Sequence, residues 1–93
     1  MAVLTDTEIQ QALNSLPGWE QNGIAIQRIF SFADFKTAME FVNNVADAAE
    51  HANHHPDIDI RYNKVTMMLV SHDSGGVTQR DVRMAGRISQ IAG

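Results

Sequence analysis

Residues 50–72 read EHANHHPDIDIRYNKVTMMLVSH, and a change of rhythm inside that stretch decides the fold. Upstream of it, Phe35, Met39, Val42, Ala46 and Ala49 recur at spacings of three and four, the stripe of a long helix against a core. Phe41, Val45, Ala48 and Ala52 form a second stripe beside the first. Together they are wider than one sheet contact needs, which suits either helix-mediated assembly or a well-covered helix. Pro56 cannot continue a helix and pushes the residue before it towards extended backbone. Beyond it the period falls to two, with Ile58, Ile60 and Tyr62 alternating with Asp59 and Arg61, as in a half-buried strand. Residues 64–70 return as its hairpin partner, turning near Asn63, and Tyr62 is expected to pack within the strand.

Outward from this centre, three segments carry the same start signal. Leu4-Thr5 with Glu8-Ile9, Phe30-Ser31 with Asp34-Phe35, and Val77-Thr78 with Asp81-Val82 each place an acid three residues after a hydroxyl, flanked by apolar residues. This is a capping box with a hydrophobic staple, and it predicts helices near 5–15, 31–52 and 78–91. Residues 19–21 and 24–29 flank Asn22-Gly23, a pair suited to a type I′ hairpin turn. The order is therefore α-β-β-α-β-β-α: an α+β domain, with a four-stranded antiparallel sheet and three helices packed on one face.

The chain of 93 residues fits one domain, 1–93, with a modest core, and so small a core favours an oligomer. It has no cysteine, which excludes disulfides, thiolate metal sites and cysteine nucleophiles. No signal peptide and no apolar run approaching about 18 residues is present, so a cytoplasmic protein with no membrane span is expected. Eleven acids against seven bases give a net charge of −4, a poor match to phosphate-rich nucleic acid.

All four histidines lie between positions 51 and 72. His51, His54 and His55 close the long helix, and Pro56 aims the last two away from it. His72 ends the fourth strand, and pairing of strands three and four brings it towards His54 and His55. Histidines also suit a helix C-terminus, where they meet the last carbonyls. That accounts for His51, which is read as structural, and poorly for the other three, which come from two elements. Histidines at i and i+3 with Asp57 or Asp59 nearby could hold a metal, but no His-Glu-x-x-His pattern, cysteine or carboxylate triad is present. Imidazoles instead supply both protonation states near neutral pH, the requirement of acid–base catalysis.

The full spacing is Glu50, three residues, His54-His55-Pro56, five residues, Tyr62, nine residues, His72, eight residues, Asp81. It resembles the signature of the pterin-4a-carbinolamine dehydratases at all seven positions, and the order of elements resembles that family's fold. The resemblance implies dehydration of a 4a-hydroxytetrahydropterin to the quinonoid dihydropterin, which helps regenerate the cofactor of aromatic amino acid hydroxylases. It implies no cofactor and no metal, a small-molecule pterin as partner, and a homodimer or homotetramer. Carried over by position, His54 and His72 are the proton-transfer pair and His55 chiefly holds the pterin. Asp81 orients a histidine or contacts the pterin, besides its capping role. Glu50 is expected to orient His54 one helical turn on. Asn53, Ser71 and Asp73 flank the histidines and are candidates for the amide-like pterin edge. Arg80 and Arg83 are read as surface charges. Some animal relatives also serve as dimerisation cofactors of a transcription factor, so a scaffold that binds a partner through the long helix is the alternative.

Overall fold

In a computed structural model, which describes residues 2–93, the elements are α1 (Asp6–Leu13), β1 (Glu20–Asn22), β2 (Ala25–Ser31), α2 (Phe35–Ala52), β3 (Asp57–Arg61), β4 (Lys64–Leu69) and α3 (Gln79–Ala92). All strand pairs are antiparallel and the sheet order is β1-β2-β4-β3, so β4 is interior and β3 is an edge. Along β4, Val65, Met67 and Leu69 are buried while Lys64, Thr66 and Met68 point to the other face. Across β2, Phe30 and Ile26, the partners of Val65 and Leu69, are buried with them, while Met67 faces the half-buried Arg28. The apolar face is covered by Ile9 of α1, by Ala38, Phe41, Val45 and Ala49 of α2, and by Met84, Ala85 and Ile88 of α3. The apolar faces of the three helices, β2 and β4 gather on one side of the sheet, the three-on-four packing expected, while β1 and β3 contribute no buried residue. The Phe41 ring anchors it, lying 4.9 Å from the centroids of both Phe30 and Phe32.

Two of the three capping boxes form. Thr5 pairs reciprocally with Glu8, and Thr78 with Asp81. The middle one does not. Ser31 stays in β2, paired with Lys64, and α2 begins four residues later with Asp34 as its N-cap, accepting from the Thr37 amide at 2.8 Å. The pull of Phe30 into the core holds the strand together past the point where a helix starting at 31 would have to break it. That amide bond holds the Asp34 carboxyl below its ordinary value of 3.8.

The stripes on α2 also divide differently from the expectation. The core side is Ala38, Phe41, Val45 and Ala49, whereas Phe35 is half exposed, Ala46 is exposed, and Met39 and Val42 are only partly covered. The first stripe is thus an apolar flank beside the core contact. In the first hairpin the two-residue loop is Gly23-Ile24, because Asn22 still pairs with Ala25. Gly23 alone takes a positive φ of 59°, the pattern of a II′ turn rather than a I′ turn. The second hairpin places Tyr62 at its tip with φ 54°, and the ring is 67% exposed instead of packed in the strand. A bulky residue there is strained, since that region is nearly reserved for glycine and asparagine.

Candidate active site

The end of α2 sets the site. Asn53 turns into left-handed backbone at φ 51°, its amide bonding to Glu50 O, while the His54 amide reaches back to Ala49 O at 3.1 Å. This paired closure is a Schellman motif, for which asparagine is an accepted substitute for glycine. The helix therefore stops three residues before Pro56, on the conformation of Asn53 rather than on the proline. The turn reverses the chain at His54 and drives its imidazole inward, to 8% exposure.

There it meets Asp81, the first-turn acid of α3, which is fully buried. His54 Nε2 lies 2.5 Å from Asp81 Oδ1. The other carboxylate oxygen, Oδ2, accepts from Ser71 Oγ at 2.9 Å and from the Thr78 amide at 2.9 Å. Thr78 Oγ1 in turn lies 2.9 Å from Ser71 Oγ. One carboxylate thus caps a helix with one oxygen and holds an imidazole with the other, so its capping role and its histidine-orienting role coexist. An ionised carboxylate only accepts, so the imidazole nitrogen facing it carries the proton. In the neutral imidazole the lone pair then lies on Nδ1. Among the described residues no fully buried side-chain nitrogen lacks a partner, and Nδ1 has none, so it keeps access to solvent.

The remaining predicted residues divide. Glu50 does not orient His54; it pairs with His55, and both side chains are largely exposed. Its one-turn spacing faces solvent, because the chain reversal at Asn53 moves His54 off the helix surface. Ser71, expected at the pterin edge, is buried and its hydroxyl is committed to Asp81. Asn53 contributes its carbonyl, which accepts from Arg80 Nη2 at 2.8 Å. His72 follows Ser71 directly, at the start of a tight loop closed by the bridge of Ser71 to Gly76, and its ring is exposed, as is Asp73. Pro56 leads into β3. Among the described residues, no three His, Asp or Glu side chains gather as a set of metal ligands.

A groove of about 1000 Å³ opens beside His54, between α2 and α3. Its α2 wall holds Asn44, Asp47 and His51, and its α3 wall Arg80, Arg83 and Arg87. Neither His51, read as structural, nor any of the three arginines, two of them read as surface charges, was counted as part of a site in the sequence. The signal for the arginines is their spacing of three and four, which puts them on one face of a helix.

Taken together, this is a small α+β domain whose one buried imidazole is held by a buried carboxylate at the mouth of a groove, an arrangement for proton transfer. The model of the family Pterin 4 alpha carbinolamine dehydratase matches residues 2–91, and the chain belongs to that family. A protein of Koribacter versatilis whose name assigns it provisionally to the pterin-4-alpha-carbinolamine dehydratases is 65% identical over 88 residues, covering 95% of this chain and 94% of its own. A Thermomicrobium roseum protein of the same provisional name is 48% identical and covers 99% of both chains. Among solved structures, a transcriptional coactivator/pterin dehydratase from Brucella melitensis superimposes with a TM-score of 0.94 at 41% identity, covering 98% of this chain and 99% of that one. A pterin dehydratase-like protein described as a RuBisCO assembly factor in the alpha-carboxysome shares the fold alone, with a TM-score of 0.68 at 18% identity over 81% of this chain and 87% of that one.

Proposed function

We propose that this chain is a hydro-lyase that dehydrates 4a-hydroxytetrahydropterin to the quinonoid dihydropterin, in the cytoplasm, and so supports the tetrahydropterin used by aromatic amino acid hydroxylases. The observation that carries the reading is the His54–Asp81 pair, set in a chain of this family. In the elimination, the C4a–O bond breaks as the hydroxyl is protonated and leaves as water. The N5–H proton departs, and its electron pair forms the C4a=N5 double bond. No net oxidation occurs. His54 suits the base, because the Asp81 carboxylate stabilises the imidazolium formed when Nδ1 takes the N5 proton. His72, exposed on the adjoining loop, is the partner that protonates the leaving hydroxyl, and His55 holds the ring. Such general acid–base help contributes about 10²–10⁴-fold. The test is the decay of the ultraviolet signal of freshly made 4a-hydroxytetrahydropterin. Acceleration by the protein over buffer at neutral pH is expected, and decay at the buffer rate refutes the proposal.

The exposed flank of α2 favours a second role beside catalysis. Phe35 is 50% exposed and lies on the same stripe as Met39, Val42 and Ala46, an apolar strip suited to a second copy of the chain, giving a dimer or tetramer, or to a partner protein. A Phe35→Asp variant that sediments as a smaller species than the wild type supports assembly through this strip; an unchanged mass counts against it.

A further inference from the structure

Three of the chain's seven Lys and Arg residues line a single groove, although the protein as a whole carries a net charge of −4. Arg80, Arg83 and Arg87 follow one face of α3, so their Cα atoms span about 10 Å at the helical rise of ~1.5 Å per residue. Among the described residues, Asp47 is the only acid lining the groove. The ion pairs among the described residues are His54 with Asp81, His55 with Glu50 and Arg61 with Asp59, so none of the three arginines has a carboxylate partner. Arg80 is fixed near the histidine by its bond to Asn53 O, whereas Arg83 and Arg87 are exposed and free to turn inward. Ala48, Met84 and Ile91 supply an apolar lining beneath the charged rim. The groove therefore has a proton-transfer group at one end, an apolar floor, and cations at successive turns leading away from it.

We propose that this groove takes an anionic side chain of the substrate, a phosphate ester at the end of the chain borne by the pterin ring, with Arg83 and Arg87 as its ligands. The inference rests on the dehydratase reading for the position of the ring and adds the chemical class of the substrate's tail. A pterin ring placed at His54 Nδ1 sends its substituent along α3, past Arg80, to the two outer guanidinium groups. Guanidinium forks match phosphate oxygens two at a time, and the small bound charge of Asp47 does not cancel three of them. Neutral hydroxyl side chains would leave these cations solvated but unused.

Calorimetric titration of the wild-type protein with dihydroneopterin and with its side-chain phosphate monoester tests this, with inorganic pyrophosphate as competitor. The expected result is a Kd for the phosphorylated pterin at least about tenfold lower than for the neutral one, as charge-assisted contacts of this kind provide. In an Arg83→Gln, Arg87→Gln double variant that ratio should fall towards one. Pyrophosphate should weaken binding of the phosphorylated pterin only. Equal affinity of the two pterins for the wild type overturns the inference and leaves the proposed function standing. Binding of neither pterin overturns both. An unchanged ratio in the double variant, with near-wild-type circular dichroism, also overturns it, because the preference then comes from elsewhere.

Discussion

Replacing Asp81 by asparagine keeps the volume of the side chain but changes what each of its two atoms can do. The carboxylate accepts from three donors: His54 Nε2, Ser71 Oγ and the Thr78 amide. An asparagine offers one acceptor oxygen and one NH₂ group. If the oxygen stays with Ser71 and Thr78, the NH₂ faces His54 Nε2 and drives the imidazole proton to Nδ1, the wrong tautomer for the proposed base, which is to present Nδ1 to the pterin. If the oxygen turns to His54, the buried Thr78 amide at the start of α3 faces another donor, and Ser71 must accept where it had donated. Either way charge-assisted hydrogen bonds are lost in a fully buried place, and about 2–3 kcal/mol of stability should go with them. For a domain of this size that is a fall in Tm of about 10–20 °C. Activity, measured well below the new Tm, should fall by about 10²–10⁴-fold in kcat, with KM changed far less. Ser71→Ala makes the comparison: it removes one donor to Asp81 but leaves the His54 contact, so it should cost about 1 kcal/mol and little kcat. An Asp81→Asn variant that keeps its Tm and its turnover, or a Ser71→Ala variant that is the more damaged of the two, would refute this role of Asp81.

The proposed division of labour predicts that His72→Ala lowers kcat by about 100-fold, while His55→Ala acts mainly on KM; steady-state kinetics on both variants read this, and the reverse pattern would exchange the roles. Phe41→Ala removes the ring that joins Phe30 and Phe32 and should cost about 3–5 kcal/mol, read as an earlier urea midpoint in the fluorescence of Trp19, the only tryptophan of the chain. The Asp34 carboxyl is held below its ordinary value by the Thr37 amide, so its contribution to stability is complete above pH 3.8 and is lost as the pH falls through the lowered folded value. Asp34→Asn, which keeps the cap but cannot titrate, should flatten that acid limb in a series of melting curves; an unchanged slope there would remove Asp34 as its source.

Much of this was legible before any coordinates, for physical reasons that differ by element. The two capping boxes at Thr5 and Thr78 are local, satisfied within four residues, and they formed as read. The alternation of Ile58 and Ile60 is likewise local and marks β3 as a strand, although at the sheet edge both stay more than a third exposed. The Ser31–Asp34 box has the same letters and did not form, because β2 gains more by continuing to pair with β4 than α2 gains by starting early. Stripe assignment on α2 failed for a related reason: two adjacent apolar stripes carry no mark saying which faces the sheet. At the site, Asp81 was within reach of sequence reading and Glu50 was misassigned to His54. The left-handed turn at Asn53 decides which carboxylate each histidine meets, and nothing in the spacing of Glu50 and His54 reveals it. The arginine groove needed the packing of α2 against α3 before its three charges could be seen to share one space.

In the proposed mechanism His54, fixed by Asp81, presents Nδ1 to the reacting edge of a pterin. A crystal structure of the protein with a bound dihydropterin tests it most directly. N5 of the ring is expected within hydrogen-bond reach of His54 Nδ1, about 2.6–3.2 Å, with the His54–Asp81 contact intact. A pterin seated elsewhere, or seated here with His54 turned away from N5 and C4a, would contradict it.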